Sequence, residues 1–197
     1  VGFPLWDTGA VRAWPESAED FLRAGDPPIV FTPGSAAATL HRFFDESVAA
    51  VRSLKVRAML VTNFPAQVSA NLPPNVRVFG YLSFSALLPK AAMLVHHGGI
   101  GTLAQATKAG IPQIIVPNGH DQFDNGWRVE RLGLGTSIPQ AKYRARTVAA
   151  AIDALVGNRS VRERCQSIAA RVHPQLAVTR ACELIEQLSG RSDTTSP

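Results

Sequence analysis

The chain has 197 residues, of which 46% are apolar, so it is long enough to bury the core of one domain. No apolar run reaches the roughly 18 residues of a membrane span, and the start of the chain lacks the pattern of a secretory signal, so we expect a cytoplasmic protein without a membrane span. The net charge of +5 comes from arginines scattered along the chain with few aromatic residues among them, which gives no support to a nucleic-acid-binding surface.

The amino-terminal residues predict a linker followed by a helix. Val1 to Pro15 has the composition of a linker from a preceding segment, and the sequence SAED from Ser17 fits a capping box that begins a helix through Ala24. We therefore divide the chain into a linker with a leading helix (residues 1–27), one main domain (28–189) and a polar, frayed tail (190–197).

Short apolar runs rich in β-branched residues recur along the domain and predict buried strands. The segments between most of them are long enough for crossover helices, so the pattern predicts an α/β fold with a parallel sheet of about six strands. The predicted strands are Pro28 to Thr32, Arg57 to Thr62, Val76 to Tyr81, Ala92 to His96, Pro112 to Pro117 and Gly135 to Pro139.

Helical periodicity fills the segments between the strands. Gly110 and Gly133 stand where they would end two of these helices, and Gly157 and Pro174 mark breaks in the last part of the chain. The predicted helices are Ala37 to Leu54, Gly101 to Lys108, Asn125 to Leu132, Thr147 to Val156, Val161 to Val172 and Leu176 to Leu188. Cys165 and Cys182 fall in helical patterns and are expected to be reduced thiols without a metal.

The turn after the first predicted strand, FTPGSAA, combines a glycine with Thr32 and Ser35 just before a long helix. Free backbone N–H groups, the helix dipole and hydroxyl donors meet there, which suits phosphate. An ordinary N-cap by Ser35 explains the same residues, so both interpretations stand.

The turn after the fourth predicted strand, VHHGGIGT, repeats this arrangement with three glycines. The glycines allow close approach of the backbone to a ligand, and the next helix directs its free N–H groups at it. We expect His97 at the mouth of the turn to donate to an anionic oxygen. His96, one residue earlier, points to the opposite face of the strand and is expected to be buried in the core.

The third polar turn, NGHDQFDN, follows the fifth predicted strand. Ligands of open α/β sheets bind beyond the carboxyl ends of the strands, so the three turns predict one cleft. Asp121 and Gln122 carry acceptors and a donor suited to the vicinal hydroxyls of a sugar, although Asp121 could also simply cap the following helix.

Gly99, Gly101 and Ala104 also satisfy the dinucleotide fingerprint G-x-G-x-x-A. In dinucleotide-binding domains this fingerprint follows the first strand, whereas here about three strands precede it, so we rank a nicotinamide or flavin oxidoreductase as an alternative. The chain lacks the Asp-x-Asp pair of metal-dependent sugar transferases, and we expect no metal and no cofactor.

Taken together, the three turns resemble the carboxy-terminal, donor-binding half of family 1 glycosyltransferases, which use nucleotide sugars and have the GT-B fold. The likeness is specific from Gly80 to Gly133, where five separated motif elements occur in order, and is looser over nearly the whole chain. It implies a Rossmann-like three-layer sandwich that binds a UDP- or dTDP-sugar.

The resemblance also implies a role for each motif residue. Those expected to contact the diphosphate are Thr32, Ser35, His97, Gly99, Gly101 and Thr102. In the stretch expected to hold the nucleobase, Phe79 and Tyr81 are both candidates for stacking, with Leu82 beside them. Asp121 and Gln122 correspond to the acid and amide that contact the donor sugar.

Two departures limit what the resemblance implies. Gln105 stands where plant members carry a glutamate that binds the ribose hydroxyls, so the choice between uridine and deoxythymidine stays open. The family's catalytic histidine and its acceptor pocket belong to an amino-terminal domain, so we expect no catalytic residue here and inverting transfer only together with that domain. The alternative of another class is a non-catalytic auxiliary protein with a donor-like fold.

Overall fold

The computed structural model describes residues 2–3, 5, 14–34 and 41–189. All six predicted strands are present there and form one parallel sheet in the order β3-β2-β1-β4-β5-β6, so the α/β prediction is confirmed. The strands are β1 (Ile29–Thr32), β2 (Ala58–Val61), β3 (Val76–Phe79), β4 (Met93–His96), β5 (Gln113–Ile115) and β6 (Gly135–Ser137).

The helices occupy the connections between strands and the end of the chain. They are α1 (Glu16–Arg23), α2 (His41–Leu54), α3 (Phe84–Leu87), α4 (Ile100–Ala109), α5 (Gln122–Arg131), α6 (Ala145–Val156), α7 (Arg159–Ala169) and α8 (Pro174–Ser189). Short 3-10 turns lie at Pro65–Gln67, Leu88–Lys90 and Gln140–Lys142. In the part of the chain that the structure describes, none of the helices combines the length and the apolar character needed to span a membrane.

Helix ends follow the predicted signals in two places and depart from them in a third. Gly110 and Gly133 follow α4 and α5 in the left-handed conformation, with φ of 70° and 68°, as predicted. The predicted capping box at Ser17 is wrong. Helix α1 begins at Glu16 with Pro15 in the N-cap position, so Ser17 lies inside the first turn and no side chain caps the helix.

Two apolar layers cover the two faces of the sheet, because alternate residues of each strand point to opposite sides. Ile29 and Phe31 of β1 pack with residues of α2 and α6 on one face. Val30 packs on the other face with residues of α1, α3 and α4. The result is the predicted three-layer sandwich.

Strand order reverses between β1 and β4, which places a crevice at the carboxyl edge of the sheet. In the parallel register Thr32 lies beside His96, and His96 lies beside Ile115. The turns that follow β1, β4 and β5 therefore start at the same level and meet above this edge.

Candidate functional site

A cleft of about 420 Å³ opens at the carboxyl edge of the sheet, next to the start of α4. Eight of the residues singled out from the sequence line it: Thr32, Tyr81, Leu82, His97, Gly99, Gly101, Thr102 and Gln105. Phe79, Asp121 and Gln122 are not among its lining residues, and Ser35 lies outside the described residues. The sequence did not single out Thr62, Asn63, Phe84 or Ile100, which complete the wall with Val61 and Gly34.

His97 forms the wall between this cleft and a second cavity of about 390 Å³ on the α2 side of the sheet. Two glycines leave the space that its ring fills. A Cβ atom at Gly34 would lie 2.7 Å from His97 Nδ1, and one at Gly99 would lie 2.4 Å from Nε2. Any larger residue at these positions would displace the ring, so both glycines are needed to keep His97 at the mouth of the turn.

The two nitrogens of His97 differ in their surroundings. Nδ1 is buried and finds no hydrogen-bond partner among the described residues. An N–H group left unpaired there would be costly, so we place the proton of the neutral ring on Nε2. Burial lowers the pKa of His97, and the Asp121 carboxylate opposes part of this effect. Near neutral pH, His97 therefore presents an uncharged Nε2–H donor.

His96 is fully buried, as predicted, and its ring is hydrogen-bonded on both nitrogens. Nδ1 accepts from the backbone N–H of Gly98 at 3.1 Å, so the proton lies on Nε2, which donates to Gln113 Oε1 at 3.0 Å. The amide nitrogen of Gln113 donates in turn to Thr107 Oγ1 of α4. This buried series of hydrogen bonds links the glycine turn to the buried face of α4, the helix that follows it.

Burial lowers the pKa of His96 to about 3, outweighing the opposing effect of its bond to Gln113. The unfolded chain binds this proton near pH 6.5 and the folded chain does not, so stability falls as the pH drops below 6.5. We expect the free energy of unfolding to decrease by about 2 kcal/mol between about pH 7 and pH 5. Urea denaturation at both pH values measures this, with His96→Gln as the variant that should lose the part of the slope contributed by His96. Equal slopes in the two proteins would contradict the assignment.

Gly98 joins the two histidines to the start of α4 and has a φ of +92°. A Cβ there would lie 2.6 Å from Ile115 Cγ2, so this turn requires glycine on both conformational and steric grounds. Its N–H group is bound by His96, and its carbonyl accepts from Asn125 Nδ2 at 2.9 Å. Both polar backbone groups of Gly98 are therefore held by buried side chains.

Asp121 occupies the N-cap position of α5 but its side chain does not cap the helix. The carboxylate instead accepts from Asn125 Nδ2 at 2.8 Å. The alternative in which Asp121 merely caps α5 is therefore wrong. Gln122 Oε1 accepts from the backbone N–H groups of Asn118 and Gly119 at 2.7 and 3.2 Å. These two bonds fix the loop before α5 and use the amide oxygen of Gln122, so the amide nitrogen is the remaining donor of this side chain.

The two aromatic candidates for stacking lie in different places. Tyr81 is exposed and lines the cleft beside Leu82. Phe79 packs against the α1 side of the core, where its ring meets the edge of Phe21 at 6.2 Å between centroids. Of the two rings, only that of Tyr81 faces the cleft.

The cleft is lined by uncharged side-chain donors and by backbone N–H groups. Among the described residues that line it, none is acidic, and the start of α4 adds free N–H groups with the positive end of the helix dipole. Such a surface suits an anion, because none of its described lining residues carries a competing carboxylate.

Comparison with known proteins identifies the family of this domain. Residues 35–188 match the domain family described as erythromycin biosynthesis protein CIII-like, C-terminal domain. The chain belongs to this family. The match covers the glycine turn, His97 and the Asp-Gln pair, and it favours sugar transfer over the oxidoreductase alternative.

Named relatives of this C-terminal domain are glycosyltransferases. An O-mycaminosyltylonolide 6-deoxyallosyltransferase from Streptomyces fradiae is 33% identical over 95% of this chain, which spans 44% of that enzyme's length. A 3-alpha-mycarosylerythronolide B desosaminyl transferase from Saccharopolyspora erythraea is 40% identical over 43% of the chain and 21% of its own length. The chain thus spans less than half the length of these curated relatives.

Solved structures agree on the fold. The glycosyltransferase of kitacinnamycin superposes with a TM-score of 0.76 at 25% identity, over 84% of this chain and 44% of that one. The calicheamicin glycosyltransferase gives a TM-score of 0.73 at 23% identity, over 87% of this chain and 44% of its own. The chain therefore has the fold of the C-terminal half of GT-B glycosyltransferases, as the sequence predicted.

Proposed function

We propose that this domain binds a nucleoside diphosphate sugar and presents it for transfer to an acceptor hydroxyl. The observation that carries the proposal is the cleft around His97, in which a neutral imidazole donor, a glycine turn and the start of α4 converge and none of the described lining residues is acidic. UDP- and dTDP-sugars both fit this description.

The diphosphate belongs at the start of α4. There the backbone N–H groups of the first turn, the Thr102 hydroxyl and His97 Nε2 can donate to phosphate oxygens. The same donors stabilise the charge that develops on the departing nucleoside diphosphate, so they assist the transfer step as well as binding. Because these donors are neutral and no acid lines the cleft, we propose that binding needs no metal ion.

The nucleoside extends from the diphosphate toward the loop after β3. Tyr81 offers the aromatic face for the base, since Phe79 is packed into the core. Gln105 lines the cleft one turn further along α4, where it can contact the ribose or deoxyribose.

The sugar lies toward the amino-terminal end of α5, where Asp121 accepts and the Gln122 amide donates to its hydroxyls. We propose an inverting transfer, in which a base supplied by an amino-terminal domain deprotonates the acceptor hydroxyl and this oxygen attacks the anomeric carbon. In that reaction the present domain positions the donor and stabilises the leaving group.

Calorimetric titration of the chain with UDP, UDP-glucose and dTDP-glucose tests the proposal. We expect weak binding of at least one nucleotide, the same affinity in the presence of EDTA, and no sugar transfer by this chain alone. Absence of binding of all three at millimolar concentration would refute the proposal. Binding that disappears with EDTA would refute only its metal-independent part.

A further inference from the structure

Asn125 lies on the first turns of α5, and its side chain reaches both parts of the candidate site. The residue is 6% exposed. Its amide nitrogen donates to the carbonyl of Gly98 at 2.9 Å and to Asp121 Oδ2 at 2.8 Å. One primary amide thus uses both of its hydrogens, one on the glycine turn and the other on the carboxylate.

The bond to Gly98 determines the orientation of the phosphate-facing backbone. Gly98 has a positive φ, and its N–H group is already bound by His96. With its carbonyl held by Asn125, the peptide unit between Gly98 and Gly99 keeps one orientation, and the N–H groups that follow in α4 keep their direction toward the cleft.

The bond to Asp121 has a different character. Asn125 is buried, so its second N–H also needs a partner, and the carboxylate of the exposed Asp121 supplies it. The two residues are one helical turn apart on α5, and their contact selects one orientation of the carboxylate. The one bond therefore satisfies the buried amide of Asn125 and orients the exposed carboxylate of Asp121.

We propose that Asn125 is a positioning residue that couples the diphosphate-binding turn to the sugar-binding carboxylate. The inference rests on the proposed function, because it takes Asp121 as a contact of the donor sugar. Asn125 acts through Gly98 and Asp121 and does not itself line the cleft. Its loss should weaken the binding of a nucleoside diphosphate sugar more than that of the free nucleoside diphosphate.

The test compares Asn125→Ala with Asn158→Ala. Asn158 caps α7 through a bond to the N–H of Val161 and does not line the cleft, so its loss affects stability only. Calorimetry measures the affinities for UDP and UDP-glucose, or for dTDP and dTDP-glucose if these bind more tightly. The affinity for the nucleotide sugar divided by that for the free nucleoside diphosphate gives the contribution of the sugar. We expect Asn125→Ala to reduce this ratio by about fivefold, and Asn158→Ala to leave it unchanged.

A double-mutant cycle separates positioning from general disturbance. If Asn125 acts on the sugar through Asp121, adding Asn125→Ala to Asp121→Ala should leave the sugar's contribution unchanged. If the alanine variant folds poorly, Asn125→Ser, which keeps one hydrogen-bond donor, replaces it in the test. It should also weaken binding of the nucleotide sugar more than binding of the free nucleoside diphosphate.

Three outcomes would overturn the proposal. These are an unchanged affinity ratio in folded Asn125 variants, additive effects in the cycle, and a chain that unfolds with either substitution. If the wild-type chain binds no nucleotide, the proposed function fails together with this inference. If the wild-type chain binds but the Asn125 variants behave as just described, only this inference fails.

Discussion

Replacing His97 by alanine is expected to weaken binding of the nucleoside diphosphate by about 10- to 100-fold and to leave the chain folded. Hydrogen bonds to charged groups contribute about 1.5–3 kcal/mol, which corresponds to this range. His97 can supply such a bond from Nε2, and its Nδ1 atom has no partner in the described structure that the substitution would leave unpaired. Titration of the variant with UDP or dTDP, together with its thermal unfolding curve, measures both effects.

The adjacent His96 provides the matched control, because its replacement by alanine should reduce stability strongly and affinity only weakly. Alanine at this position removes the partners of the Gly98 N–H and of Gln113 Oε1 inside the core. We expect about 2–4 kcal/mol less stability from the lost bonds and the cavity. The loss of affinity, measured on the folded fraction, should be smaller than that of His97→Ala. Equal losses of affinity in the two variants would disprove the assignment of His97 to the diphosphate.

The strands could be predicted from the sequence because helices cover both faces of the sheet. Runs such as AMLV in β2 are therefore apolar throughout, and all their residues are buried. The predicted strands extend one or two residues too far at their ends, because residue type alone does not show where the hydrogen-bonded ladder stops. Helix α3 was not predicted because its four residues are too few to show helical periodicity.

The position of the cleft also follows from the sequence, since parallel strands bring their following turns to one edge. The choice between Phe79 and Tyr81 could not be made, because β3 ends at Phe79 and alternation no longer fixes the direction of later side chains. The role of Asn125 could not be predicted either. Its bond to Gly98 joins residues 27 positions apart, and no local pattern encodes such a contact.

The placement of the diphosphate at the start of α4 can be tested by adding a charge at Gly101. This residue lines the cleft, and an added Cβ would meet no atom of another described part of the chain within 4 Å, so a side chain there would enter the ligand's space. As the second residue of α4, an aspartate would interact favourably with the helix dipole. Gly101→Asp should therefore fold at least as stably as the wild-type chain.

The same carboxylate should repel a bound diphosphate strongly. Two unit charges about 5 Å apart repel by about 3 kcal/mol at an effective dielectric constant of about 20, so we expect Gly101→Asp to reduce the affinity for UDP or dTDP by about 100-fold or more. Gly101→Asn has nearly the same size without the charge, so it should bind UDP or dTDP about 100-fold more tightly than Gly101→Asp does. The difference between the two variants should shrink in high salt, because partly exposed charges are screened. Equal affinities of the Asp and Asn variants at low salt would mean that the diphosphate does not lie at the start of α4.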